Sequence, residues 1–297
     1  MLRKPSILVP FIAFAVSIAH GAGTQAASQG LTAAQIVDKN VAARGGLQAW
    51  REVKSIQMEG KLGAGGNRRD SLAEPVPGKK LTSLATDPRP KDEVQLPFKL
   101  LLSRPRKERF ELQFNGQTAL QVFDGSNGWK LRPYLNRREI EPYTSDELKI
   151  ASAQAELDGY LIDYAAKGTK IELDGSEKVE GRDAYKLKLT LSNGQTIHVW
   201  IDAQTFLESK IEGQPRRLDG IEHPVEVYYR NYRAVSGLQI PFTLETRVLP
   251  VTGREGKVQS GAPVQDEKID IEKVEVNPNL NDSLFSRPQL DGTPSHR

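Results

Sequence analysis

The chain contains no cysteine among its 297 residues, and it has only four histidines and three tryptophans. The absence of cysteine excludes disulfide-stabilised scaffolds, cysteine zinc modules and thiol catalysts. An excess of charge of one sign is also lacking, because 41 Lys and Arg residues nearly balance 38 Asp and Glu residues. This balance argues against strongly basic nucleic-acid-binding proteins and against acidic disordered chains. With 38% apolar residues, the chain can form a sizeable core in one or two domains, and an all-β domain commonly reaches about 200–250 residues as one unit.

The apolar run near the N-terminus has the pattern of a secretory signal. Two basic residues precede a 12-residue apolar run from Ile7 to Ile18, and several small residues follow it. A membrane-spanning helix needs about 20 apolar residues, so we predict a signal peptide over residues 1–26, cleaved after Gly21 or Ala26. A buried N-terminal core segment is the alternative. Because no cysteine follows the run to carry a lipid anchor, we expect a soluble periplasmic protein.

Two segments carry the start signals of helices. Thr32-Ala33-Ala34-Gln35 and Thr144-Ser145-Asp146-Glu147 both match the capping-box pattern. The first predicts a helix from Thr32 to Arg44, which Gly45-Gly46 ends, and the second predicts a helix from Thr144 to Leu157. Each helix has an apolar side that requires a hydrophobic partner.

Elsewhere the apolar residues alternate with polar ones, which is typical of strands with one buried face. Asn115-Gly116 and Asn193-Gly194 are strong signals for tight hairpins. Most connections are too short for helical crossovers, so the strands are expected to pair antiparallel. We predict a mainly β fold with about ten or eleven strands in one meandering sheet.

The predicted strands belong to a single domain over residues 27–290, followed by a flexible tail over residues 291–297. Two long segments, 63–95 and 251–266, lack both helical and strand periodicity and are predicted as inserted loops. Their balanced charge favours disorder, and an ordered binding loop is the alternative.

Catalytic and metal-binding motifs are lacking. Outside the signal and the tail, histidine occurs only at His198 and His223, which lie in separate predicted strands without metal-ligand spacing. The chain has no Gly-x-Ser-x-Gly elbow, no phosphate-binding loop and no dinucleotide-binding glycine pattern. We therefore expect no catalytic residues, no metal and no cofactor, and we predict that the protein is not an enzyme.

A small basic cluster consists of Arg104, Arg106, Lys107 and Arg109. It lacks the interleaved aromatic residues that stack on bases, so we expect no nucleic-acid partner and interpret the cluster as a solvated strand edge. Arg104 differs from the others because Pro105 restricts it to extended geometry. Arg106 is expected to be solvated.

Three stretches together resemble the LolA/LolB-like superfamily of periplasmic lipoprotein carriers, including members described as outer-membrane lipoprotein-sorting proteins. These stretches are Asn40–Trp50, Phe98–Trp129, which contains Arg104-Pro105 and Asp124-Gly125, and Asn277–Phe285. The resemblance implies an incompletely closed antiparallel β-barrel whose helices cover the concave face as a lid over an apolar cavity. It makes the Thr32 and Thr144 helices the lid, and it gives Arg104 the role of gating the cavity by bonding to lid backbone groups.

The strand alternation and the implied fold together predict the residues that line the cavity. These residues are Phe110, Leu112, Phe114, Val122, Trp129, Leu187, Leu189 and Val199. The resulting hypothesis is a monomeric carrier or binder of lipid or lipoprotein acyl chains that exchanges them with a membrane-associated lipoprotein donor or acceptor. The alternatives are a protein-binding or sensing module on the same scaffold and an unrecognised hydrolase. The apolar faces could also be filled by helix side chains as ordinary core.

Overall fold

The computed structural model describes residues 30–64, 93–218, 221–252, 258–260 and 266–289. From Thr32 onward these residues belong to one compact unit. Within the described ranges, no helix combines the length and the apolar character that crossing a membrane requires. The predicted signal peptide and the predicted C-terminal tail both lie outside the described residues.

Three α-helices are present in the described residues: α1 (Ala33–Ala43), α2 (Leu47–Glu52) and α3 (Ser145–Gln154). The α1 and α3 helices begin at the predicted capping boxes, where the Thr32 and Thr144 side chains accept hydrogen bonds from the third helical N–H group. The α3 helix ends at Gln154, three residues before the predicted end at Leu157, and the chain continues as turns. Gly159 and Asp163 have φ values of 75° and 51° there, which a right-handed helix cannot accommodate. We call residues 155–168 the turn segment.

Seventeen strands follow one another along the described chain. They are β1 (Ser55–Ala64), β2 (Val94–Ser103), β3 (Lys107–Phe114), β4 (Gln117–Phe123), β5 (Gly128–Arg132), β6 (Arg137–Pro142), β7 (Lys170–Val179), β8 (Arg182–Thr190), β9 (Thr196–Asp202), β10 (Glu208–Glu212), β11 (Arg216–Leu218), β12 (Ile221–His223), β13 (Val225–Val235), β14 (Leu238–Val248), β15 (Val251–Thr252), β16 (Val258–Ser260) and β17 (Glu267–Val276).

Thirteen of these strands form one sheet in the order β6-β5-β4-β3-β2-β1-β17-β14-β13-β10-β9-β8-β7. The first six strands make one meander, and a second meander runs from β7 to β14. The last strand, β17, lies between the two and pairs antiparallel with both β1 and β14. Because β6 and β7 remain at opposite edges, the sheet is not closed. The predicted mainly β fold with an open antiparallel sheet is confirmed, with more strands than predicted.

Both predicted loops contain residues that the structure pairs as strands. In the first, Gly63 and Ala64 pair with Gln95 and Val94, because β1 and β2 extend past the point where the apolar alternation stops. Residues 65–92 lie outside the described residues. In the second, β15 and β16 pair as a small two-stranded sheet.

The register defines an inner and an outer face of the large sheet. In the first meander, Met58, Leu100 and Phe110 lie opposite one another across β1, β2 and β3. In the second meander, Leu187 pairs with Val199 across β8 and β9, and Val199 pairs in turn with a β10 residue. We call the face that carries these residues the inner face.

The main hydrophobic core lies on the inner face, where α2 and the turn segment pack against the strands. Trp50 of α2 and Ile162 of the turn segment are 2% and 0% exposed, and they belong to one cluster with Ile56, Phe98 and Ile271. Burying a side chain of this size contributes about 1.5–3 kcal/mol. At this core the inner face is therefore covered by α2 and the turn segment, while α3 packs on Phe123 of β4.

Candidate ligand-binding cavity

A cavity of about 460 Å³ lies on the inner face between the sheet and the turn segment. Its lining includes Met58 and Leu100 from the first meander, Val199 from the second, and Leu157 and Leu161 from the turn segment. The volume falls within the roughly 300–1,000 Å³ of typical small-molecule sites. The helices and turns therefore do not fill the inner face completely.

Six of the eight predicted lining residues lie on the inner face. Val199 lines the cavity itself. Phe110 pairs with Leu100 and stacks on Phe98 with ring centroids 5.9 Å apart. Strand alternation places the remaining four on the same face: Leu112, Phe114, Leu187 and Leu189. Contact between these side chains and a ligand stays a prediction.

Val122 and Trp129 lie on the outer face, which corrects their predicted place in the cavity. They pair with each other, and Val122 also pairs with Arg109, which pairs with Leu101 of β2. The outer face is itself apolar at this point, since Leu101 and Val122 are 2% and 0% exposed. Because Val122 and Phe123 are adjacent and both apolar, the sequence does not show which of them points to the inner face. In the structure it is Phe123.

Arg104 makes three hydrogen bonds that join the end of β2 to α2 and to the turn segment. Its Nε donates to the carbonyl oxygen of Val53 at 2.8 Å, and its Nη2 donates to the carbonyl oxygen of Trp50 at 3.2 Å. These carbonyls lie at the C-terminal end of α2, where that of Trp50 also accepts a hydrogen bond from the Val53 N–H. The same Nη2 donates to the Asp158 carboxylate at 2.6 Å. The helix involved is α2, whereas the sequence pointed to the Thr32 and Thr144 helices.

Asp158 is the centre of a charge network in the turn segment. Its side chain is 2% exposed and pairs with both Arg104 and Lys167. The neighbouring Glu156 pairs with Lys167 and with Arg106, whose Nε donates to it at 2.6 Å. Arg106 is half exposed, in line with the expectation that it is solvated, and it also makes this ion pair. Because Arg104 and Arg106 follow β2, their ion pairs with Asp158 and Glu156 tie the turn segment to the sheet.

Part of the cavity lining is polar. We call Arg44, Tyr160, Glu208, Tyr229 and Tyr232, all of which line the cavity, the polar cluster. The Arg44 guanidinium lies 3.2 Å from the Glu208 carboxylate, and its Nη1 also donates to the carbonyl oxygen of Asp158 at 3.0 Å. The hydroxyl of Tyr232 donates to the carbonyl oxygen of Glu208 at 3.0 Å. An ion pair is therefore part of the lining of a mainly apolar cavity.

The three tyrosines of the polar cluster keep their phenolic protons. Burial raises the pKa of Tyr160, Tyr229 and Tyr232, and the negative charge of Glu208 raises the pKa of the latter two further. Within the described residues, neither Tyr160 nor Tyr229 has a protein hydrogen-bond partner for its hydroxyl. These two hydroxyls can donate to a bound molecule.

A second cavity of about 430 Å³ shares Glu208, Tyr229 and Tyr232 with the first. Its remaining lining is largely polar and contains two ion pairs. Arg182 lies 2.8 Å from Asp202, and Arg230 is paired with Glu180. Three of the five residues of the polar cluster therefore line both cavities.

Sequence reasoning did not identify the polar cluster. Arg44 lies inside the Asn40–Trp50 stretch that carries the family resemblance, and it stacks 4.4 Å above the Trp50 ring. The arginine and the tryptophan, six residues apart, were the one pattern in the sequence that could have pointed to Arg44. Glu208 is 164 residues from Arg44, and no local pattern links the two.

Glu108 is a carboxylate on the inner face near α3. It lies on β3, opposite Leu102 of β2 and Phe123 of β4. Phe123 packs with Ala151 of α3. Burial raises the pKa of Glu108 from an ordinary value of 4.5 to about 7. Its side chain has no ion pair within the part of the chain that the structure describes.

The two histidines are bonded locally. Nδ1 of His198 lies 2.8 Å from the Glu212 carboxylate, and Nδ1 of His223 lies 2.9 Å from the carbonyl oxygen of Leu249. Across the described ranges, no group of three or more His, Cys, Asp or Glu side chains is arranged to hold a metal ion.

The fold is similar to that of several solved structures, although the chain matches no protein-family profile and no curated protein sequence. A LolA superfamily protein from Nitrosomonas europaea has a TM-score of 0.51 and 14% identity, over 86% of this chain and 98% of that chain. A DUF1329 family protein from Desulfovibrio piger has a TM-score of 0.48 and 14% identity, over 86% and 97% of the two chains. An outer membrane lipoprotein-sorting protein domain from Vibrio parahaemolyticus has a TM-score of 0.47 and 11% identity, over 84% and 94%. The resemblance in the sequence is confirmed at the level of the fold.

Proposed function

We propose that this protein binds lipid or lipoprotein acyl chains in the inner-face cavity and carries them without catalysing a reaction. The observation that carries the proposal is the cavity of about 460 Å³ with its mainly apolar lining. Each CH₂ group of a chain buried there contributes about 0.8 kcal/mol. The LolA-like fold supports the same function.

The setting of this function follows from the N-terminal sequence. A basic start, a short apolar run and small residues after it support export to the periplasm. There a carrier would receive acyl chains from one membrane-associated lipoprotein donor and release them to an acceptor. The absence of cysteine supports a carrier without its own lipid anchor.

Arg104 is the proposed gating residue, because it joins the two structures that cover the cavity. Its bonds to α2 and to Asp158 hold α2 and the turn segment together. A hydrogen bond contributes about 1 kcal/mol net, and up to about 3 kcal/mol when one partner is charged. Loss of these bonds should open the cover more readily and release a bound chain faster.

The test uses an uncharged fluorescent acylglycerol as the probe. We expect saturable binding to the wild-type protein and a probe dissociation rate about tenfold higher or more in Arg104→Leu, since 1.4 kcal/mol corresponds to a factor of ten. Asp158→Asn, which weakens the same contact, should shift the rate in the same direction. The matched control is Arg138→Leu, because Arg138 is exposed on the edge strand β6 and has no ion pair among the described residues.

Two outcomes would contradict the proposal at different points. Equal dissociation rates in the wild type, Arg104→Leu and Arg138→Leu would remove the gating role of Arg104. No saturable binding of the probe to any variant would contradict acyl-chain binding itself, and the protein-binding module on the same scaffold would then be the better explanation.

A further inference from the structure

The polar cluster contains an ion pair, and the positive charge of its arginine is balanced by the negative charge of its glutamate. Oε1 of Glu208 pairs with Arg44, and its Oε2 lies 3.3 Å from the Tyr232 hydroxyl. Arg44 is 8% exposed. A ligand that enters the cavity therefore meets an arginine whose positive charge is compensated by a carboxylate.

The rest of the lining adds no uncommitted positive charge. Among the described residues around the cavity, Arg44 is the one basic residue, and the acidic ones are Glu156, Glu208 and Glu212. Glu156 is itself paired with Arg106 and Lys167, and the Glu212 carboxylate bonds to His198 on the outer face. An anionic group buried here would lack an uncommitted cation, and an unpaired buried charge is costly.

The donors that remain open suit an uncharged acceptor. Tyr160 and Tyr229 line the cavity, and their hydroxyls have no protein partner in the described part of the chain. A neutral hydroxyl can donate to the carbonyl oxygen of an ester or an amide. Beyond them, the second cavity offers polar surface in which ion pairs already balance the charges.

We propose that the polar cluster binds the uncharged ester or amide linkage next to an acyl chain, and that it discriminates against free fatty acids and other acyl anions. This inference rests on the proposed function, and it names the chemical class of the ligand. The chain would lie in the apolar cavity, the linkage would contact the tyrosine hydroxyls, and polar groups beyond the linkage would extend into the second cavity.

The experiment compares two ligands with the same acyl chain, hexadecanoyl glycerol and hexadecanoic acid, as competitors of the uncharged probe near pH 8. In the wild type, we expect the glycerol ester to bind at least about tenfold more tightly than the acid, because the acid would bury an uncompensated carboxylate. Glu208→Gln frees the charge of Arg44. In that variant we expect the preference to fall by about tenfold or more, because the carboxylate of the ligand can then pair with Arg44.

The matched control is Glu226→Gln. Glu226 also pairs with a cation and a tyrosine hydroxyl, Lys210 at 2.7 Å and Tyr228 at 2.7 Å. It lies on the outer side of β13 and does not line the cavity. This substitution should leave the ester-to-acid preference unchanged.

A second variant tests the polar cluster while keeping the ion pair between Arg44 and Glu208. Tyr229→Phe removes one hydroxyl donor and should weaken binding of the ester about fivefold while changing binding of the acid less, since one neutral hydrogen bond is lost. Equal affinity of ester and acid in the wild type would overturn the inference, as would a preference that neither Glu208→Gln nor Tyr229→Phe changes. Saturable binding of neither ligand would contradict the proposed function instead.

Discussion

Replacing Glu108 by glutamine should stabilise the protein at neutral and alkaline pH. The Glu108 carboxylate lies on the inner face between Leu102 and Phe123, without an ion pair in the described residues. Glutamine retains the size of the side chain and removes its charge. The variant therefore isolates the cost of ionising a carboxyl group at this position.

The sign follows from the direction of the pKa shift. Burial raises the pKa of Glu108 from 4.5 to about 7 in the folded protein. Below pH 4.5 the group is neutral in both the folded and the unfolded state and costs nothing. As pH rises from 4.5 to 7, the unfolded state loses its proton first, so the free energy of unfolding decreases. Above pH 7 the free energy of unfolding has reached its full decrease.

The magnitude follows from the same shift. A change of one pKa unit corresponds to about 1.4 kcal/mol, which sets an upper limit of about 3 kcal/mol for Glu108. The side chain keeps part of its solvent exposure, and screening by water reduces the effect to about 1–2 kcal/mol. This would be a large fraction of the stability of a typical domain.

The assay is urea unfolding of the wild type and Glu108→Gln near pH 5 and near pH 8, with Glu139→Gln as the control. Glu139 is exposed on β6, so the same substitution there should change little. We expect Glu108→Gln to be more stable than the wild type by about 1–2 kcal/mol near pH 8, and the difference to shrink near pH 5. A wild type and a Glu108→Gln variant with the same pH dependence would refute the reasoning.

Two further predictions concern the sheet and the N-terminus. A Cβ atom at Gly60 would lie 2.1 Å from the carbonyl oxygen of Asp270, where β1 and β17 shift register. We expect Gly60→Ala to lower the free energy of unfolding by about 1–3 kcal/mol or more, and urea unfolding would measure it beside Gly30→Ala, where a Cβ would meet nothing within 4 Å. The chain expressed with its N-terminus should lose about 21–26 residues and fractionate with soluble envelope proteins. Intact mass and cell fractionation would check this, and uncleaved protein in the cytosol would contradict export.

The sequence predicts best what is decided locally. Both capping boxes are read from four consecutive residues, and the α1 and α3 helices begin there. The hairpin signal at Asn115-Gly116 likewise joins β3 to β4. These features depend on neighbouring residues alone. The open antiparallel sheet follows from them together with the short connections.

The features that the sequence did not predict depend on distant contacts. Arg104 was singled out because Pro105 follows it, but its partner Asp158 lies 54 residues away, just beyond the predicted helix from Thr144 to Leu157. The ion pair of Arg44 and Glu208 joins residues that share no local pattern. Val122 could have faced either side, because both faces of the sheet are buried there. Tertiary packing, and not local propensity, decides each of these positions.

The place of β17 has a consequence for when the protein can fold. Each meander can form from neighbouring hairpins as the chain emerges, but β17 is the strand that joins them, through pairs with β1 on one side and β14 on the other. The partners Ile56 and Val276 are among the most distant in the described chain. Such non-local pairing is slow and comes late. The continuous sheet, and with it the cavity lined by both meanders, can therefore be completed only after β17 becomes available, so a chain that emerges N-terminus first would lack this cavity until its last strand arrives.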